Sequence, residues 1–477
     1  MKTSIKNLFT SILLTLGLLF SISACKEKEN KKEPVAYEEA TVNSTCNCET
    51  SWFPHDQTPA PEEGKGSPFD TTSTTNCIFH QWSWQKFLYL TKPSGNGKPV
   101  FLNDLIQVDS KMETVMQQAG ASLVLTDTAQ AGSQGVLRSN PTLSASKKEQ
   151  TVFYGIFIDS TMQAAAKQYN IELLNGSLKP NNSSAFPVGS LEVKSSWITT
   201  ASIPEAQLSG YYVTEAAILQ KDGSYNNTSV ALLGMHVVGV VENHPEFIWA
   251  TFEHNDMTPI MDWNTLTASS ESDLLFFGKG TATNLDGITW TGKTPKTPNQ
   301  NYTLYQYGVP KIKGNGFMST SQQEPENFDN ITSINACVAS SLNDVWNNYF
   351  YNGSLWINMD GKTPQEQVAL LISLSGNLAN SAPGDDTRGS VNAANSTMET
   401  YVQTGGKSLD SISVTNLVSC FSCHNAENFS SGKPVSPLYI SHIFNGYIQS
   451  SQGKTLNEIN TMKVNEFKNL MIEKSKD

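Results

Sequence analysis

The chain has 477 residues, 38% of them hydrophobic and 16% charged, and carries a formal net charge of −12. Such a composition can bury a sizeable core and argues against wholesale disorder. The acidic balance speaks against nucleic acid as a partner, since phosphate binding needs clustered Lys and Arg, and suits a basic redox protein instead.

At the N-terminus, Lys2 and Lys6 precede an uncharged apolar run from Leu8 to Phe20, followed by Ile22-Ser23-Ala24-Cys25. The run is too short for a comfortable membrane span, so residues 1–24 read as a signal peptide. Its last four residues resemble a bacterial lipobox, which implies acylation of Cys25 and attachment to a membrane through the lipid. Lys26 follows, rather than the acidic residue that resembles an inner-membrane retention signal, so an outer-membrane address is expected, on the periplasmic or the surface face.

Residues 25–75 are rich in Lys, Glu, Pro, Thr and Ser and show no periodicity, so they are expected to form a flexible tether with a cysteine-pinned end. Export makes disulfides possible among Cys46, Cys48, Cys77 and Cys337, with all three full pairings open.

Order is expected from residue 76, where Trp84, Phe87 and Leu88 recur at helical spacing. Short β-branched and aromatic runs then predict strands at Thr151–Ile158, Leu191–Ile198, Tyr211–Leu219, Val230–Val241 and Phe247–Phe252. Val230–Val241 is apolar at both alternating sets of positions, which predicts a central strand in a sheet covered on both sides. From residue 331 helical signals dominate. Thr363-Pro364-Gln365-Glu366 is a capping box with proline at the first helical position, and further helices are expected near 437–449 and 456–474. The expected fold is α+β: a central antiparallel or mixed sheet over 76–330 and a helical, haem-binding C-terminal region over 331–477.

That last expectation rests on Cys420-Phe421-Ser422-Cys423-His424, the pattern of c-type haem attachment. Two thiols at this spacing match the two vinyl groups of a porphyrin, and the histidine directly after them falls beneath the iron as its proximal ligand. A redox dithiol would want a thioredoxin-like strand-to-helix context. A zinc site would want two further ligands, for which only His442 lies near in sequence. The expected cofactor is therefore one covalent haem c on Cys420 and Cys423, with His424 on the iron.

Three further stretches carry a family resemblance: His80-Gln81-Trp82-Ser83-Trp84-Gln85-Lys86-Phe87, Leu232-Leu233-Gly234-Met235-His236-Val237-Val238 and Phe247-Ile248-Trp249-Ala250-Thr251-Phe252-Glu253-His254. With Asn395-Ser396-Thr397-Met398-Glu399-Thr400-Tyr401 and the late haem motif, they resemble the large bacterial cytochrome c family proteins over roughly residues 77–430. The resemblance implies haem and export and points to no particular reaction.

The second axial position separates electron transfer from catalysis, because an open iron can bind small oxidants. Candidates are His236, His254, His442, Met398 and Met462. His254 ends a strand beside Glu253 and Asp256, which makes it a possible distal ligand or distal catalytic group, although alternation puts Glu253 and His254 on opposite faces. His55, His80 and His244 read as structural or surface residues, and Trp82, Trp84, Trp197 and Trp249 are candidate electron relays, with burial in the core expected for most. Expected functions are, first, a membrane-anchored monohaem cytochrome passing single electrons to a redox partner. A haem enzyme of peroxidase or oxygenase type and a surface binding protein with structural haem are the alternatives.

Overall fold

The structure is a computed structural model. It describes residues 46–72, 76–128, 139–257, 261–262, 267–276, 279–282, 327–375, 387–390, 395–398, 420–451, 454 and 458. The signal segment, Cys25, Met462 and, apart from residue 458, the helix expected over 456–474 lie outside the described residues.

In chain order the elements are α1 (Asn76–Thr91), α2 (Val100–Asn103), β1 (Ile106–Val108), β2 (Leu123–Leu125), β3 (Phe153–Ile158), α3 (Ser160–Asn175), β4 (Leu191–Thr199), β5 (Val213–Leu219), β6 (Tyr225–Val241) and β7 (His244–His254). There follow β8 (Met261–Asp262), β9 (Thr267–Ser270), β10 (Gly280–Ala282), α4 (Asn327–Ser341), β11 (Tyr349–Ile357), α5 (Pro364–Leu374), β12 (Thr387–Gly389), α6 (Cys420–Cys423) and α7 (His442–Ser451). Among the described residues nine strands form one sheet, in the order β1-β3-β4-β6-β7-β11-β12, with β5 also on β6 and β2 on β5. Every pairing in it is antiparallel except β2 with β5, so the fold is α+β around a mixed sheet. Strands β8, β9 and β10 form a small separate sheet.

The long strand β6 pairs with β4, β5 and β7, and from Val230 to Val241 it is buried on both sides apart from the half-buried His236, as its mainly apolar run requires. One sheet face is covered by α1 and α4, where Trp82, Trp84, Phe87, Ile331, Ile334 and Val338 meet Val193, Val237, Ala250 and Phe252. Helix α1 carries large apolar side chains around its whole circumference, which is why it is almost wholly buried rather than amphipathic. The opposite face takes α3, α5 and α7 through Met162, Ala166, Leu371, Ile443 and Phe444. Helix α3 starts where Asp159 accepts from the backbone N–H groups of Thr161 and Met162, and ends at Gly176, whose φ of +78° suits a left-handed cap. In the capping box of α5, the Thr363 N–H donates to Glu366 Oε2 at 2.8 Å and the Glu366 N–H returns to Thr363 Oγ1 at 3.4 Å.

Two regions differ from expectation. Residues 46–72, read as the end of a tether, pack on the body. Disulfides join Cys46 to Cys77 and Cys48 to Cys337, with Cα–Cα distances of 5.5 and 5.7 Å. Trp52 and His55 are buried there, and Glu63 Oε1 sits 2.7 Å from Lys86 Nζ and accepts from Trp82 Nε1 at 2.8 Å. A segment without periodicity reads as a linker, yet side-chain anchors can order it without regular structure. The second difference is β11, which carries the sheet past residue 331 into the region expected to be helical. Its register shifts between Tyr351 and Gly353, and that irregularity breaks the alternation by which a strand is recognised. Gly353 is required there, because its φ is +139° and a Cβ would collide with Ser390.

Candidate functional site

Helix α6 is a single turn. The His424 N–H donates to the Cys420 carbonyl at 2.8 Å and prolongs it, so the two thiols share one face, three residues apart. Phe421 is buried against Trp249 of β7, at a centroid distance of 6.2 Å, and anchors the turn to the sheet. Cys420 is half-buried and Cys423 exposed, and both keep their thiols, whereas Cys46, Cys48, Cys77 and Cys337 are all in disulfides.

After His424 the chain doubles back. The Ser436 N–H donates to the Ala426 carbonyl at 2.8 Å, and a 3-10 turn at Pro437–Ile440 brings the Ile440 carbonyl 3.0 Å from His424 Nδ1. A carbonyl only accepts, so Nδ1 carries the proton and Nε2 holds the lone pair. The imidazole is covered on both sides. Trp249 lies 4.2 Å from it, tilted by 45°, and His442 stacks on it at 3.7 Å and 20°. His442 Nε2 in turn donates to the Cys423 carbonyl at 2.9 Å, and the half-exposed Phe429 packs edge-on against His442 at 4.7 Å. The residue at the start of α7 therefore clamps the backbone of the motif.

Electrostatics keep both rings neutral. Burial drives His424 well below the ordinary 6.5, and His442, Lys194 and His236 push it further in the same direction. Burial brings His442 down to about 4, with the Lys194 charge reinforcing it and the bond to the Cys423 carbonyl opposing it. Glu192, on β4, is pushed up by burial although Lys194 Nζ lies 3.9 Å away and the Ser441 hydroxyl donates to it at 3.1 Å.

These residues belong to a polar seam across the sheet face that carries α7. Cross-strand register aligns Glu192 with Val238 and Trp249, then Lys194 with His236 and Thr251, then Ser196 with Gly234 and Glu253. The last row is capped by the 395–398 segment: the Ser396 N–H donates to Glu253 Oε2 at 2.8 Å, and Thr397 Oγ1 is 2.6 Å from Ser196 Oγ. Ser441 and His424 cover the first row. The middle row lies between the two covers. Charged residues at alternate positions of an otherwise apolar strand, as in Leu191-Glu192-Val193-Lys194, are the sequence signal that marks this seam; only the register shows that three strands share it.

The structure thus gathers Cys420, Cys423, His424 and His442, with His236 beside them. It does not bring His254. That residue lies five positions beyond Trp249 on β7, roughly 16 Å at ~3.3 Å per residue, and an odd offset puts it on the other face. Its Nε2 donates to the Gly210 carbonyl at 2.9 Å, its Nδ1 accepts from the Asp256 N–H at 3.1 Å, and Tyr211 stacks on it at 3.7 Å. Burial lowers its proton affinity. Met398 is fully buried among Ile198, Ala231 and Leu233, in a cluster separate from the motif. Among the described residues no three His, Cys, Asp or Glu side chains are gathered for a bare metal ion, and no helix is long and apolar enough to cross a membrane.

No family profile, no curated protein and no solved structure matches this chain.

Proposed function

We propose that the chain is an exported, lipid-anchored c-type cytochrome that carries one covalent haem and passes single electrons. The observation that carries the reading is the hydrogen bond from His424 Nδ1 to the Ile440 carbonyl, directly after a turn presenting two thiols on one face. Metal-ligating histidines characteristically donate their second nitrogen to such an acceptor, which fixes the tautomer and aims Nε2 at the metal.

The donor set fits haem. Cys420 and Cys423 would each form a thioether, with the thiol proton passing to a vinyl carbon, so attachment needs no external oxidant. Haem brings four nitrogen donors of its own and would supply a one-electron couple at its iron. His424 would hold the iron through Nε2. His442 holds the Cys423 carbonyl, and Trp249 fills the space behind the imidazole and excludes water. The disulfides elsewhere in the chain suit an oxidising compartment, consistent with export and with acylation at Cys25. The acidic surface suits a basic redox partner.

Full-length protein from a haem-maturing host should give a c-type pyridine haemochrome with one haem per chain. Cys420→Ser/Cys423→Ser should lose covalent haem, and a redox titration should follow a one-electron curve. Protein that matures without haem and holds zinc, or cycles as a dithiol, would overturn the reading. For the anchor, fatty-acid labelling should be lost in Cys25→Ser.

A further inference from the structure

The two limbs of chain that hold His424 also wall a cavity. One limb is the loop after the motif, through Asn428 and Pro434, and the other is the turn at Pro437–Ile440, through Tyr439. Helix α3 adds Leu173 and Leu174, and α7 adds Ile448. The space is about 410 Å³, a size that small ligands occupy. It adjoins the histidine stack. Phe429, next to Asn428 and 55% exposed, packs against His442 at 4.7 Å, and His442 lies on His424 at 3.7 Å.

The lining specifies the chemistry of an occupant. Among the described residues no charged side chain lines the cavity, so an ion would lose its hydration with nothing to replace it. The Tyr439 hydroxyl is spent on the Pro180 carbonyl at 2.7 Å. Ser430 and Ser431 also line the space, but one is half-buried and the other exposed, and water serves their hydroxyls. Asn428 differs, being only 5% exposed. Its Oδ1 accepts the Ser430 N–H at 2.7 Å, which fixes the orientation of the amide. That leaves Nδ2, with no acceptor among the described residues, as the donor this wall offers. A buried donor is costly to leave unpaired, so the fitting occupant is neutral, mainly apolar and carries an accepting oxygen.

Beside a centre that passes single electrons, the neutral, apolar carbonyl compounds that are themselves redox-active are quinones. Resting on the haem reading for that choice, we propose that this cavity is a binding site for a small quinone, held by a hydrogen bond from Asn428 Nδ2 to its carbonyl. The electron partner of the chain is then a small lipophilic carrier as well as a protein.

The test uses the full-length haem protein and two probes of the same shape, duroquinone and the hydrocarbon durene, with decanoate as a charged probe and methyl decanoate as a neutral ester. Equilibrium dialysis should find one duroquinone per chain, held about tenfold more tightly than durene, and no decanoate. Asn428→Asp keeps the acceptor for the Ser430 N–H and removes the donor, so duroquinone should fall to the affinity of durene. Leu174→Trp, at a half-buried position of α3, should fill the cavity and abolish binding of both, and it serves if Asn428→Asp misfolds. Equal affinity for duroquinone and durene, variants that bind duroquinone as wild type does, or methyl decanoate held more tightly than duroquinone would overturn the site while leaving the haem reading intact. Protein that lacks covalent haem yet shows the expected binding pattern would overturn the haem reading and leave the site standing.

Discussion

His80 tests whether the packing against α1 is as dry as the structure has it. Its ring is fully buried between α1 and β11, with Phe79 and Trp356 nearby. Nε2 faces the acceptor Asn327 Oδ1 at 3.0 Å, and Nδ1 faces the Tyr351 hydroxyl at 2.7 Å, so a neutral ring is satisfied at both nitrogens. Protonation would place an unpaired charge in this core. Burial accordingly lowers the group from 6.5 to about 3, with the Asn327 bond opposing the shift. A depressed histidine stabilises the fold above its unfolded value, and that stability drains away as pH falls, because the unfolded chain takes up the proton first. At pH 4.5, two units below the unfolded value, the loss is roughly 2–3 kcal/mol at ~1.36 kcal/mol per unit. Urea unfolding of wild type and His80→Gln from pH 7.5 to 4.5 measures it. The variant should be less stable at pH 7.5, and the gap should narrow by roughly 2–3 kcal/mol by pH 4.5. Parallel curves would mean that water or a counter-charge reaches His80, and would refute the dry packing.

Three further outcomes are expected. Cys337→Ser opens a link spanning 289 residues, and with Cys46–Cys77 retained urea unfolding should show a loss of up to about 5 kcal/mol of stability. Gly239→Ala puts a Cβ 2.7 Å from the Trp82 ring, and thermal unfolding should show a loss of about 1–3 kcal/mol. Ser441→Ala removes the donor to buried Glu192 and should cost about 1.5–3 kcal/mol at pH values where that carboxyl is ionised. Because the Glu192 carboxyl is already pushed up by burial, that cost should fade as pH falls through its raised value, and a pH-independent loss would contradict it.

Local chemistry made much of this protein legible from its sequence. The runs that became β3 to β7, the aromatic spacing of α1 and the capping box at Thr363 are each decided within a few residues, by side-chain alternation, helical period or a nearby hydrogen bond. Asp159 and Gly176 are equally local signals, for the start and the end of α3. Likewise, Cys420, Cys423 and His424 stand together in sequence, and spacing alone proposes their chemistry. Tertiary structure decided what spacing cannot reach. It paired Cys46 with Cys77 and Cys48 with Cys337, and it folded the supposed end of a tether onto α1. It also brought His442 back over His424 and sent His254 to the far face. The physical reason is register: on a strand a single step reverses the face, so whether a histidine meets the motif depends on pairings and bulges between segments far apart in the chain.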